Sequence, residues 1–121
     1  MIAPVFAVCS TDPKVKELLG AHPVRLYPFG MLDDVLVYPY AVWQNVGGEP
    51  ENYLSQNPDI DRYSIQVDVY GDTDEDALAV ARALRDVIQR KAYITRWDEQ
   101  GRDPATLKYR YSFDVDWLVN R

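Results

Sequence analysis

Residues 108–119 read KYRYSFDVDWLV, with Tyr109, Tyr111, Phe113, Val115, Trp117 and Val119 at every second position and Arg110, Ser112, Asp114 and Asp116 between them. A period of two belongs to a strand with one face in a core and the other on a polar surface. Burying six such side chains at roughly 2 kcal/mol each contributes about 10 kcal/mol gross, a quantity comparable with the net stability of a whole domain. The pattern therefore predicts a strand central to its sheet.

The rest of the chain divides at clear punctuation. Residues 2–10 are mainly apolar and predict a helix with Pro4 in its first turn. Thr11-Asp12-Pro13 restarts a second, short helix, with Asp12 as cap, Pro13 at the first helical position, and Gly20 as stop. Residues 24–29 predict a strand that Pro28 bends or places at an edge, residues 30–35 a turn, and residues 37–46 a second strand weakened by Pro39. Residues 47–61, with two glycines and two prolines, predict a long loop of the functional or mobile kind. Residues 62–70 alternate again, Tyr63, Ile65, Val67 and Val69 facing one way. Gly71-Asp72-Thr73 then breaks the strand and caps a long helix over 74–90, whose apolar stripe is Ala77, Val80, Ala81, Leu84, Val87 and Ile88. Acids crowd its start and Arg90-Lys91 its end, as the macrodipole favours. Residues 93–97 predict a short strand and 98–107 a polar turn before the closing strand. Strands outnumber helices. The expected architecture is α+β: an antiparallel sheet of about four to five strands, with the long helix and the short N-terminal helices on one face, in one domain spanning residues 1–121.

Composition narrows the function classes. Net charge is −6, and residues 1–62 and 63–121 are each acidic, so neither half resembles a basic nucleic-acid-binding arm. No apolar run approaches the ~20 residues needed to span a bilayer, and residues 1–10 lack the basic start of a secretory signal. The single cysteine, Cys9, has no partner for an internal disulfide, which makes a reducing cytoplasm the expected compartment.

Candidate chemistry is sparse. Cys9 and His22 are the sole residues of their types, and a nucleophilic pair would have to use both without a third orienting group. Asp59/Asp61 and Asp114/Asp116 each set two carboxylates on one side of an extended segment. That spacing suits a divalent ion or an acid–base pair, and equally suits a solvated strand face. Asp72, Asp74, Glu75 and Asp76 lack the glycine and the terminal glutamate of a calcium loop and read as helix capping. Gly47-Gly48 opens onto Glu49-Pro50-Glu51, which would repel a phosphate. Tyr53 and Leu54 in the same loop either present apolar contacts to a partner or fold back onto the sheet. Polar residues are distributed as faces, caps and turns, so no cofactor is expected. Two other classes stay open: a metal-dependent enzyme using Asp114/Asp116, and a small α+β ligand-binding domain.

The segments MIAPVFAVCSTDPKVKELLG, RLYPFG, YPYAVWQNVGGEPENYL, PDIDRYSIQVDVYGDT and RDPATLKYRYSFDVDWLV together resemble the phage tail completion family, the tail-terminator or head–tail joining proteins of long-tailed bacteriophages and prophages. The resemblance spans nearly the whole chain and contains no catalytic signature. It implies a structural protein that assembles as a ring with its own copies, sixfold in related terminators. Such a ring caps the tail tube protein and meets the head–tail connector proteins, with DNA only in transit and no membrane partner. It implies assembly in the bacterial cytoplasm and residence in the virion tail or neck. Within that frame Pro50, Asn52, Tyr53 and Leu54 are the expected partner contacts, and Asp59, Asp61, Asp114 and Asp116 the expected channel-facing acids.

Overall fold

The computed structural model describes residues 4–21, 24–29, 37–50, 60–102, 104 and 106–120, the side chains at 47–50, 60–61, 98–99 and 119–120 excepted. The chain order is α1 (Val5–Cys9), α2 (Pro13–Leu19), β1 (Leu26–Pro28), β2 (Tyr40–Pro50), β3 (Ile60–Gly71), α3 (Asp74–Ile88), β4 (Tyr93–Arg102) and β5 (Tyr109–Asn120).

Local chemistry explains the helix boundaries. The Asp12 carboxylate accepts from the backbone N–H groups of Lys14 (3.0 Å) and Val15 (3.1 Å), two donors that the first turn of α2 leaves without an internal partner. Pro13 opens the helix, and Gly20, at φ 85°, takes the left-handed conformation that ends it. Thr73 caps α3 by accepting from Asp76 N–H at 3.1 Å, and Asp74, Glu75 and Asp76 lie at the positive end of its dipole.

The five strands order as β1-β2-β3-β5-β4. Pairings β2–β3, β3–β5 and β5–β4 are antiparallel. β1 runs parallel to β2, so the sheet is mixed rather than wholly antiparallel. β3 and β4 also run parallel, with β5 inserted between them and α3 making the crossover.

Strand bounds differ from the sequence reading in both directions: β1 is shorter, Leu26–Pro28 against residues 24–29, and β2 starts later, at Tyr40, whereas β2, β3 and β4 run on further at one or both ends. β2 continues through Gly47 and Gly48 to Pro50, opposite Asp61, because a bulge between Asn45 and Gly47 leaves Val46 unpaired and resets the register. β4 likewise runs on to Arg102, bulged between Ile94 and Arg96 and again between Arg96 and Glu99. Glycine, glutamate and glutamine are poor strand formers in isolation, and here their backbone groups are satisfied by a paired neighbour.

The core lies on one face. Ala41 and Trp43 of β2, Ile65, Val67 and Val69 of β3, and Tyr111, Phe113, Val115 and Trp117 of β5 pack against Ala77, Val80, Ala81, Leu84, Val87 and Ile88 of α3. Val5, Cys9, Val15 and Leu19 join the same cluster from α1 and α2, both of which pack on α3. Tyr109 at the edge of the closing strand is half-buried. Of the alternating positions of 109–119, all those with described side chains point into this layer.

Gly71 ends β3 where α3 begins, and a Cβ there would lie 2.9 Å from the backbone nitrogen of Ala77. Backbone cannot give way as a flexible side chain does. Gly71→Ala is expected to destabilise the fold by about 1–3 kcal/mol, whereas Gly101→Ala, whose nearest neighbour is the flexible Arg110 side chain at 3.6 Å, should shift the thermal midpoint much less. Paired melting curves check the difference.

Candidate functional site

The face of the sheet opposite the helices carries side chains that alternation turns away from the core. A polar network crosses three strands at its centre. Arg96 of β4 grips Asp114 of β5 with both arms of its guanidinium, Nε to Oδ2 at 2.8 Å and Nη2 to Oδ1 at 3.0 Å. Arg96 Nη2 and Gln66 Nε2 both donate to the Ser112 hydroxyl at 3.4 Å, and Gln66 also donates to Asp68 at 3.1 Å. Ser112 is only 1% exposed, a buried polar group satisfied by its neighbours. One rung further along, Ser64 donates to Asp116 at 3.2 Å.

The two ends of this face differ. At the end where β2 starts and β3 stops, Tyr40 stacks on Tyr70 with ring centroids 5.1 Å apart, and Tyr38 and Tyr27 tilt onto Tyr40 at 5.3 and 6.4 Å. Lys108 places its ammonium over the Tyr38 ring at 5.1 Å and donates to Asp72 at 2.6 Å, a contact that raises its pKa. At the other end Tyr93, opposite Asp116, and Leu118, opposite Arg62, are 67% and 45% exposed.

The carboxylates expected from the sequence separate here. Asp114 and Asp116 do share the open face, and the ion-paired Asp114 side chain remains about one-third exposed (34%). Both Asp114 oxygens are taken by Arg96, whose guanidinium is held more firmly protonated by that contact. Among the described residues no three His, Cys, Asp or Glu side chains converge as metal ligands. Asp61 and Pro50 face each other across the β2–β3 pair. Asn52, Tyr53, Leu54 and Asp59 lie outside the described residues, as does His22. Cys9 is fully buried (0% exposed), and desolvation, with a smaller contribution from the Asp12 carboxylate, pushes its thiol up to about 12. A thiol in that state is a packing group, not a nucleophile. The acids at the start of α3 act as the capping reading expects, with Asp74 also accepting from the Tyr111 hydroxyl at 2.6 Å.

Sequence reasoning missed the tyrosine cluster and the Arg96–Asp114 clasp. Neither is contiguous: Tyr27, Tyr40 and Tyr70 meet through β1–β2–β3 pairing, and the bulges of β4 set which residue faces Asp114. The chemistry assembled here is stacked rings, a hydrogen-bonded polar face, and exposed apolar side chains, Tyr93 and Leu118 towards one end and Val37 and Leu107 towards the other. The chain belongs to the family described as tail completion protein gp17, whose model matches residues 3–120, and it is a phage tail component by that membership. No curated protein matches it.

Two measurements check the energetics. A double-mutant cycle of Arg96→Ala and Asp114→Ala should give a coupling of about 0.5–1 kcal/mol, the upper part of the range for partly exposed pairs because the geometry is bidentate. The Cys9 thiol has its ordinary value of 9.0 in the unfolded chain and about 12 in the folded one. Its contribution is whole below pH 9 and is lost as pH climbs from 9 towards 12, at up to ~1.4 kcal/mol per pH unit, because the unfolded chain deprotonates first. Denaturant titrations in that window should show a shallower alkaline loss for Cys9→Ala than for the native chain.

Proposed function

We propose that this protein completes the tail by capping the tube as a ring of identical subunits and presenting that end to the head connector. Family membership across residues 3–120 is the observation that carries the reading. Its mode of action is stoichiometric binding. A ring closes when unlike faces of neighbouring copies meet, and this sheet has ends of unlike character, tyrosine-rich at one and exposing Tyr93 and Leu118 at the other.

In this reading Pro50, Asn52, Tyr53 and Leu54, between β2 and β3 in sequence, are the contacts to the tube or to an adjacent copy. The open sheet face turns to the channel through which DNA passes. An acidic wall repels the phosphate backbone and lets it slide. Asp114, balanced by Arg96, adds little net charge there, so Asp116 is the stronger contributor. Asp59 and Asp61 are the further acids of that wall.

Electron microscopy of particles made without this protein should show overlong tails and heads without tails. Restoring it as the Tyr53→Ala/Leu54→Ala variant should recover infectious yield at least about tenfold less well than the native chain, the scale of losing a central apolar anchor. Normal tails in the absence of the protein would overturn the reading. A fully active double variant would remove the loop contact alone.

A further inference from the structure

The two ends of α3 carry opposite charge. Residues 72–76 hold Asp72, Asp74, Glu75 and Asp76 and no basic residue, whereas residues 82–91 hold Arg82, Arg85, Arg90 and Lys91 against Asp86. At the acidic end Asp72 is committed to Lys108, and Asp74 to the Tyr111 hydroxyl. Glu75 and Asp76 are exposed, and among the described residues no cation pairs with either. At the basic end Arg85 is committed to Asp86. Lys91 is exposed with no carboxylate partner among the described residues, and Arg90 reaches one only at 3.9 Å.

Arg90 and Lys91 line one cleft of about 260 Å³, between the end of α3 and the junction of α1 with α2. Val8, Pro13 and Val87 supply its apolar lining. The one described carboxylate there, Asp12, is turned inward: its side chain is 15% exposed, and its Oδ2 accepts from the N–H groups of Lys14 and Val15. The Arg90 side chain, by contrast, is 69% exposed. Two cations with donors open to solvent beside an apolar hollow form a receptor for carboxylates carried on an apolar support.

We propose that this cleft receives Glu75 and Asp76, at the start of α3, from a second copy of the chain. The inference rests on the ring reading above and deepens it by naming a contact between neighbouring subunits. Charge complementarity within one chain selects the occupant: a net −6 molecule repels other polyanions at long range, whereas every neighbour carries this exposed acidic pair. Leu78 and Ala79 follow the two acids and remain partly exposed, an apolar patch to match the lining of the cleft. The same chain cannot close the contact on itself. Glu75 and Val87 are twelve residues apart on one helix, a separation of about 18 Å at roughly 1.5 Å per residue. The start of one helix set against the end of the next joins unlike surfaces, so the contact is heterologous, the kind that closes into rings.

The test is self-association of the full chain, read by light scattering across salt, with circular dichroism verifying that each variant folds. Arg90→Glu/Lys91→Glu should weaken association at least about tenfold, and the native chain should lose assembly as salt screens the contact. Adding Glu75→Lys/Asp76→Lys to the reversed cleft should restore assembly, since every copy then offers the exchanged pair. Glu75→Gln/Asp76→Asn and Arg90→Gln/Lys91→Gln avoid charge reversal at the helix ends. Each should weaken association, and the two together should weaken it no more than either alone, as one shared contact requires. Undiminished assembly by the reversed cleft, a folded fourfold variant that stays dissociated, additive losses in the neutral set, or a native chain monomeric at every concentration and salt would each overturn the proposal. Undiminished assembly joined with loss of tail completion would overturn it in favour of the tube as occupant. Tail length in the absence of the protein is read independently of all of these, so a failed contact and a failed function are told apart.

Discussion

The pairing of β3 with β5 is the constraint on which everything else depends. It runs without interruption from Ile60 opposite Asn120 to Gly71 opposite Tyr109. Because the strands alternate from Tyr63 to Val69 and from Tyr109 to Trp117, a slip of one residue would bring Asp114 and Asp116 into the core and push Phe113 and Val115 out. The hydrophobic cost forbids that slip. The same register then sets where α3 lies, since its stripe has one apolar surface to cover, and it sets which polar side chains meet on the opposite face.

That opposite face shows how a sheet can be covered on one side and still hold a defined surface on the other. Arg96, Asp114, Ser112, Gln66 and Asp68 satisfy one another across three strands. Groups tied in this manner present fixed shape and charge instead of mobile side chains. The pairing also moderates the acidity of the face, because Arg96 balances Asp114, while among the described residues no basic side chain pairs with Asp116. The tyrosine cluster lies towards one end of the strands and the exposed Tyr93 and Leu118 towards the other.

Helix capping by Asp12 and Thr73, the stop at Gly20, the stripe of α3 and the alternation of β3 and β5 were all legible in the chain, since each is decided by neighbours within a few residues. The family was legible as well, from segments spread over the whole length. Extension of β2 past Gly47 and of β4 past Trp97 was not. Those residues have weak strand preference, and only a partner strand with matching free hydrogen-bonding groups holds them extended.

Parallel pairing of β1, bulges at Val46 and in β4, and the meeting of Arg96 with Asp114 belong to the same class of outcome. By itself the sequence determined which side chains had to leave water and which local turns and caps would form, because burial and backbone satisfaction act through short-range pattern. Only the tertiary structure decided which polar groups found one another, since bulges shift register by single residues and distant strands supply the partners. Asp114 illustrates both: alternation placed it on the open face, and the irregular edge strand determined that a guanidinium would be waiting there.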